Sequence, residues 1–462
     1  MKQLRPFSTL LVLLLLQLVC QAAPKADLPA LDKPQLKWIE KTAPKARDKF
    51  SKDVTAALKK HDDPALRELI ARWFPECRKS TGEPTGAKIE LKPESAKAAA
   101  TLARDWAALA ADARKAGMTS TAGWEALRAL KLDDRNKQAA EILAYVERPK
   151  GKSYLPQRAA KLYEAGKHFC ERGWMERGPK PIIGEGEDPY GDEGDDAHAA
   201  WAKARELEYT FVSLRTNLPL TEACEIGQRV DALLECMRAR YLLVEGYTEP
   251  AWPLKVWVIA KDAEYNQLWA ERQEQPGSPF GEYSYLHKVA HVNAENCAQG
   301  FEKTVGIAQH ESCHAFFHAA FPGQWDRGQA TPYGWMMEAV PAAVYYIDPL
   351  NPQDGKLAEQ LKRKFLKADG TRDEAVQSVL DGKDWLNELN GAASYDESIG
   401  HLQAYITGAL FTAMAWQDDR LREAFARFTA RCMAWKAEKG EFEKTFGETP
   451  ELTKQLKEWL NQ

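Results

Sequence analysis

The chain has 462 residues, of which 44% are hydrophobic and 28% are charged, and its formal net charge is −4. This composition excludes a disordered polymer, a collagen-like fibre and a disulfide-dense mini-protein. The length predicts two or three domains, each able to bury a core. The near-neutral charge and the lack of a basic stripe argue against a nucleic-acid partner.

The first 23 residues have the pattern of a secretory signal peptide. Lys2 and Arg5 supply a positive start, an apolar run covers 10–19, and small residues follow at 22–23. The apolar run is about half of the ~20 residues that a membrane-spanning helix needs. We therefore expect an exported protein that is secreted, periplasmic or at the cell surface, with no membrane span.

The cysteines leave the redox state and one anchoring alternative open. Cys20 allows a lipid anchor, but Val19 disfavours it, because lipoprotein signals usually have a small residue before the cysteine. Seven further cysteines form an odd set, so at least one has no intramolecular partner. Cys224 and Cys236 share one predicted helix about 18 Å apart, too far to pair. No CxxC pair occurs, which argues against a thiolate zinc site.

Three regions follow the signal segment. Residues 24–170 are rich in Ala and Leu with interspersed charges and show no strand-like alternation, which predicts a helical N-terminal region. Residues 171–204 predict an acidic, glycine-rich linker, whose carboxylates do not match a calcium loop. Residues 205–462 predict a separate domain.

The third region begins with strand signals and continues with helices. Segments 209–212, 254–260 and 283–292 are rich in β-branched and aromatic residues and predict strands, while 220–243 predicts a helix. Helices dominate after Glu302. The fold class is therefore expected to be α+β: mainly helical, with a small mixed sheet.

One predicted helix carries a metal-binding motif. His310-Glu311-Ser312-Cys313-His314 matches HExxH. Four residues advance about 6 Å along a helix and rotate about 40°, so both imidazoles point to one side and can bind one zinc ion. Glu311 lies where it can reach a water on that ion without being a ligand. Cys313 is expected to be a small core thiol.

A third ligand is expected because a catalytic zinc normally takes three from the protein. Glu338 is the one carboxylate in a long apolar stretch, and a buried charge needs a metal or a cation. An ion pair with Arg327 or Lys303 is the alternative. His318 lies about 12 Å along the helix from His310, too far to share a tetrahedral ion, so we expect it to support the site or to lie in the core.

HExxH followed by Glu338, twenty-four residues after His314, resembles the gluzincin zinc metallopeptidases, the thermolysin-like clan. The chain is most similar to poorly characterised exported bacterial members of that clan. Those carry a tryptophan three residues before the ligand Glu, then a helix with a tyrosine, then a C-terminal F-x-x-x-F-G. Trp335, Tyr395 and the segment 442–447 (FEKTFG) are the counterparts here. The resemblance covers the third region.

The resemblance implies a gluzincin-like domain in which the two motif histidines and Glu338 hold Zn²⁺. It implies an enzyme that hydrolyses a peptide or protein substrate by a zinc-activated water, with Glu311 as the general base. It also implies a Tyr or His that donates to the oxyanion. Tyr395 is the first candidate for this catalytic role and His401 the second.

Two departures from the clan leave alternatives open. Pro341 removes a helix hydrogen bond and is expected to kink the helix near Met337, beside the ligand Glu. Ala342 stands where thermolysin has an acid. The alternatives are a catalytically inactive binding module, in which the kink spoils the third ligand, and a zinc hydrolase of non-peptide substrates. Glu311 favours catalysis, because a structural zinc site has no use for a base.

Overall fold

The structure of the chain is a computed structural model. It describes residues 31–85, 87, 89–149, 151–175, 194–297, 300–323, 333–350 and 401–461. The predicted signal peptide with Cys20, most of the predicted linker, and Tyr395 lie outside the described residues. Among the helices of the described ranges, none combines the length and the apolar character that a membrane crossing requires.

The chain from Lys33 to Ile142 is a helical bundle. Its helices are α1 (Lys33–Lys37), which continues through a π-helical turn (Trp38–Thr42) into α2 (Ala43–His61), then α3 (Pro64–Trp73), α4 (Arg78–Thr81), α5 (Pro93–Lys115), α6 (Thr119–Leu132) and α7 (Lys137–Ile142). Buried alanines on α5 let neighbouring helices approach closely. Phe50, Phe74 and Trp106 form the aromatic centre, with ring centroids 4.3–4.9 Å apart.

Two small hairpins follow the bundle, and they correct the helical prediction for this part of the chain. The hairpins are β1 (Val146–Glu147) with β2 (Tyr154–Leu155), and β3 (His168–Cys170) with β4 (Gly173–Met175), separated by α8 (Gln157–Glu164). A short helix α9 (Asp195–His198) and a 3₁₀ turn (Trp201–Lys203) lie beyond them. Strands of two or three residues are too short to show an alternating pattern, so the sequence did not predict them.

A five-stranded mixed sheet organises the third region and confirms the predicted α+β class. Its strands are β5 (Arg205–Glu208), β6 (Val212–Thr216), β7 (Leu254–Ile259), β8 (Gly281–Ser284) and β9 (Val289–Asn293). The order is β5-β6-β7-β9-β8, in which β6, β7 and β9 are parallel and the two edge strands are antiparallel to their neighbours. Val256, Val258 and Val292 alternate onto the face that packs against the helices.

Two of the predicted strands were placed wrongly. Residues 209–211 of the segment 209–212 form the turn between β5 and β6, where Tyr209 and Phe211 are bulky and buried although they are not in a strand, and Val212 is the first residue of β6. The segment 283–292 is a hairpin of two strands rather than one. Its turn ends at Lys288 with a φ of 54°, a conformation that usually selects Gly or Asn, so the turn has no sequence signal.

Helices pack on the sheet and on one another to form the main core. They are α10 (Leu220–Tyr241), α11 (Asp262–Glu271), α12 (Phe301–Ala320), α13 (Met336–Val344), α14 (His401–Gln417), α15 (Asp419–Met433), α16 (Glu441–Phe446) and α17 (Thr449–Asn461). The helix predicted over 220–243 corresponds to α10, which carries both Cys224 and Cys236. The seven cysteines after the predicted signal peptide are all free thiols.

Candidate metal centre

Helix α12 carries the HExxH motif through the centre of the third region. All residues from 308 to 317 are buried, and His310, Glu311 and His314 retain only 9%, 7% and 5% exposure. The edge strand β8 lies directly against this helix. A Cβ atom at Gly281 would lie 2.6 Å from the Ile307 side chain, so the strand can approach this closely because glycine stands there.

Three side-chain atoms converge on one side of α12. His310 Nε2 and His314 Nε2 lie 3.2 Å apart, and Glu338 Oε2 lies 3.2 Å from each of them. A tetrahedral zinc ion with bonds of about 2.0–2.1 Å separates its ligand atoms by about 3.3–3.4 Å. The observed triangle, which we call the ligand triangle, therefore matches three corners of such a tetrahedron. These residues could hold a metal ion.

Unsatisfied polar atoms support the same conclusion. The Oε2 atom of Glu338 is buried although the whole side chain is 19% exposed, and it has no hydrogen-bond partner within the described ranges. His314 Nδ1 is also buried and lacks a partner there, but it is the ring nitrogen that does not face the triangle, so an ion bound at Nε2 leaves it unsatisfied. A cation shared by the two imidazole nitrogens and the carboxylate oxygen would satisfy all three atoms, whereas burying them unpaired is costly.

Helix α13 brings Glu338 to the two histidines. Gln309, which precedes the motif, is 1% exposed and donates from Nε2 to the carbonyls of Val344 (3.0 Å) and Ile347 (2.9 Å). This contact fixes the end of α13 against α12. Helix α13 continues through Pro341, and Glu338 still reaches both imidazoles, so the proline does not remove the third ligand from the triangle.

An aromatic cluster holds the start of α13. Trp335 lies 5.8 Å from Phe442 between ring centroids, and Phe442 lies 4.8 Å from Phe446. The Tyr333 hydroxyl accepts a hydrogen bond from the Phe442 backbone N–H at 3.1 Å. The tryptophan before Glu338 and the C-terminal FEKTFG segment, both singled out in the sequence, thus pack together behind the ligand triangle.

The two glutamates at the centre have opposite electrostatic behaviour. Burial by itself would raise the pKa of Glu338, but the facing imidazoles of His314 and His310 outweigh it and hold this pKa well below its usual range. Burial raises the pKa of Glu311 to about 7, and the charge of Glu338 adds to the effect. His310 and the backbone N–H of Tyr283 beside the Glu311 carboxylate oppose that rise.

A cavity of about 540 Å³ opens onto the ligand triangle. Its described lining includes His310, Glu311, His314 and Glu338. The other lining residues are aromatic, aliphatic or small, with one further acid: Gly277, Ser278, Phe280, Gly281, Glu282, Tyr283, Tyr285, Ile307, Ala342, Tyr345, Tyr346, Tyr405, Ile406 and Ala409. The Tyr405 ring centroid lies 5.8 Å from that of His310. A cavity of this size can enclose a few residues of a substrate.

The side chains of both predicted oxyanion donors lie outside what the structure describes, so their prediction is untested. Tyr395 lies outside the described residues. His401 begins α14, and its side chain also lies outside the description. Tyr405 lies one helical turn later and lines the cavity. The sequence offers little signal for it, because α14 is apolar on nearly all sides and its orientation depends on packing.

Two other motif residues have clear positions. Cys313 is fully buried in the core, and burial raises the pKa of its thiol well above the usual range. His318 is half-buried, and its Nδ1 lies 2.7 Å from the hydroxyl of Tyr283. Lys303, one alternative partner of Glu338, lies instead over the Phe280 ring, 4.0 Å from its centroid.

Comparisons with known proteins give no match: no family model, no curated protein and no solved structure matches the chain.

Proposed function

We propose that the protein is an exported zinc-dependent metallopeptidase of the gluzincin type. His310, His314 and Glu338 would hold the ion, and Glu311 would be the general base. The observation that carries the proposal is the ligand triangle with a buried acid beside it, at the wall of a cavity that can admit a substrate. A purely structural ion needs neither the acid nor the cavity.

The chemistry follows from the environment of Glu311. When bound, the ion polarises a carbonyl group and lowers the pKa of a water molecule. Glu311, whose pKa is raised to about 7 in the metal-free protein, takes a proton from the attacking water as the oxygen bonds to the peptide carbon. It then delivers that proton to the amine nitrogen as the carbon–nitrogen bond breaks. The Tyr283 N–H keeps the carboxylate in place during both transfers.

Two tyrosines of the described residues are candidates for the oxyanion donor, beside Tyr395 and His401, which remain predictions. Tyr285 and Tyr405 both line the cavity. Burial, with the nearby charges of Glu338 and Glu311, raises the pKa of Tyr285 well above its usual range, so this hydroxyl stays protonated and can donate. A preorganised hydroxyl donor stabilises the negative charge that develops on the carbonyl oxygen.

The edge strand favours an extended polypeptide as the substrate. Asn293 N–H donates to the Phe280 carbonyl at 2.8 Å, so in the β8–β9 pair Gly281 is at the next, non-hydrogen-bonded position. Its N–H and C=O therefore point away from β9, and Gly281 lines the cavity. A peptide chain can pair with such an edge through main-chain hydrogen bonds.

The test compares peptide cleavage by the purified protein and by two variants of α12, Glu311→Gln and Glu302→Gln. The substrates are casein and a mixed peptide library. We expect cleavage by the wild type that a chelator abolishes and zinc restores. Glu311→Gln should bind zinc but cleave about 10²–10⁴-fold more slowly. Glu302→Gln, which alters an exposed carboxylate paired with Arg229, should behave like the wild type.

The two alternative functions, an inactive binding module and a hydrolase of non-peptide substrates, predict different results in the same experiment. Zinc binding with no cleavage of any peptide would indicate the inactive binding module. Cleavage of small esters or amides, but not of peptides, would indicate the hydrolase of non-peptide substrates. Equal activity of the wild type and Glu311→Gln would exclude Glu311 as the base.

A further inference from the structure

We propose that His318 is a positioning residue for the general base. Through its contact with the Tyr283 side chain, it fixes the edge strand β8 at the position where the Tyr283 backbone N–H holds the Glu311 carboxylate. This inference rests on the proposed function for its catalytic consequence, although the attachment itself can be measured without activity.

Tyr283 is attached to α12 at two points. Its hydroxyl lies 2.7 Å from His318 Nδ1. Its backbone N–H lies beside the Glu311 carboxylate and lowers the pKa of that group, and a Cβ atom at Gly281, two residues earlier on β8, would lie 3.5 Å from Glu311 Cγ. His318 and Glu311 are seven residues apart on α12, which corresponds to about 10 Å along the helix axis. Two attachments this far apart fix both the position and the direction of a strand residue.

Within the described residues, β8 has a strand neighbour on one side only. In the described sheet, β8 is an edge strand that pairs only with β9. Because Tyr283 pairs with Ala290 at a non-hydrogen-bonded position, its N–H points away from β9 and is available to Glu311. The placement of this N–H therefore depends on contacts between β8 and α12.

His318 also touches the next inward-facing residue of the hairpin. Its ring centroid lies 5.6 Å from that of Tyr283 and 5.5 Å from that of Tyr285, and the two tyrosine rings are 5.1 Å apart. Tyr283 is 5% exposed, so loss of its partner would leave a buried hydroxyl unsatisfied, which favours a shift of the strand. His318 acts through this cluster and not as a metal ligand, since the ligand triangle does not include it.

The test uses four variants: His318→Leu, His318→Asn, Tyr283→Phe, and the double variant of His318→Leu with Tyr283→Phe. Asparagine can place an oxygen where His318 has Nδ1, whereas leucine cannot. For peptide cleavage we expect His318→Leu and Tyr283→Phe each to lower kcat about tenfold to a hundredfold, with KM and zinc content unchanged. His318→Asn should restore most of kcat. The double variant should be no worse than either single variant, because both remove the same contact.

A second readout is independent of activity. Hydrogen exchange of the Tyr283 amide should accelerate at least about tenfold in His318→Leu and remain near wild type in His318→Asn. Unchanged exchange in His318→Leu would overturn the inference, and so would equal kcat values for the leucine and asparagine variants. If the wild type cleaves no peptide, the proposed function fails, and the exchange result alone decides whether His318 fixes the strand.

Discussion

Two carboxylates within one small centre have opposite pKa shifts, and their surroundings explain the difference. Glu338 faces two imidazoles, which hold its pKa below the usual range. Glu311 faces one backbone N–H, and burial raises its pKa to about 7. A ligand must be ionised to bind a cation, whereas a base must exchange its proton near neutral pH. The two side chains therefore suit different roles.

The raised pKa of Glu311 predicts a pH-dependent stability of the metal-free protein. The folded state binds a proton at this site up to about pH 7, and the unfolded chain only up to about 4.5. The stabilisation from this proton is thus complete below pH 4.5 and lost as the pH rises through 7. In a chelator at pH 8, Glu311→Gln should be more stable than the wild type by roughly 3 kcal/mol.

Urea unfolding at pH 4 and pH 8 measures this difference. At pH 4 the two proteins should be equally stable, because both carry a neutral side chain. A wild type that is as stable as Glu311→Gln at pH 8 would contradict the assigned pKa.

Individual residues of the centre differed in how far the sequence could predict them. The helix period places His310 and His314 on one side of α12 whatever the rest of the fold does. Glu338 could be predicted because a lone carboxylate in an apolar stretch requires compensation. Gln309 and Tyr405 could not, because their contacts depend on how α13 and α14 pack, and neither residue interrupts a hydrophobic pattern in a distinctive way.

At the level of elements, close helix packing sets the position of Glu338. A Cβ atom at Gly408 of α14 would lie 2.9 Å from the Cα of Ala339 on α13. Glycine at this position therefore allows the two helices to approach closely beside the third ligand. The close approach of α13 and α14 matters because it positions Glu338, and a metal ligand atom must be held within about 0.5 Å of the position in which it binds the ion.

Gly408→Ala should weaken zinc binding about tenfold, because the added methyl group displaces α13 and with it Glu338. The helix itself should not be weakened, since alanine has the higher helix propensity. Competition titration with a zinc-binding dye measures the affinity. Gly151→Ala is the control, because its Cβ would meet only the flexible Arg148 side chain. Equal affinities for the wild type and Gly408→Ala would show that this packing does not position the ligand.

The elements also show where local sequence signals fail. Strand β7 and helix α10 appear where their composition predicts them. The hairpin of β8 and β9 does not, because its turn is made by residues without turn chemistry, and the edge strand that approaches the metal centre is therefore hidden within one apparent strand. Its position is defined by the antiparallel pairing with β9.

In the whole molecule, the N-terminal bundle is attached firmly to the third region. A Cβ atom at Gly123 on α6 would lie 1.8 Å from the carbonyl oxygen of Ala239 on α10. The buried Glu423 of α15 accepts hydrogen bonds from the Thr119 hydroxyl (2.7 Å) and the Ser120 backbone N–H (3.0 Å). These contacts are typical of a permanent interface rather than of a removable segment.

We expect that cutting the chain between the bundle and the third region changes neither assembly nor activity. The described lining of the cavity begins at Gly277, so no described bundle residue enters it. A protease recognition site inserted within 176–193 allows the cut to be made after folding. Both fragments should elute together in gel filtration, with unchanged peptide cleavage. Separation of the fragments, or a severalfold rise in activity, would indicate an inhibitory segment instead.

The zinc content of the purified protein tests the central claim most directly. After zinc loading and dialysis, elemental analysis should give about one zinc ion per wild-type chain and almost none for His314→Ala or Glu338→Ala. His287→Ala, which removes a histidine paired with Glu274 away from the ligand triangle, should keep the wild-type content. A wild type without zinc, or a Glu338→Ala variant that retains it fully, would contradict the claim that these three side chains hold one ion.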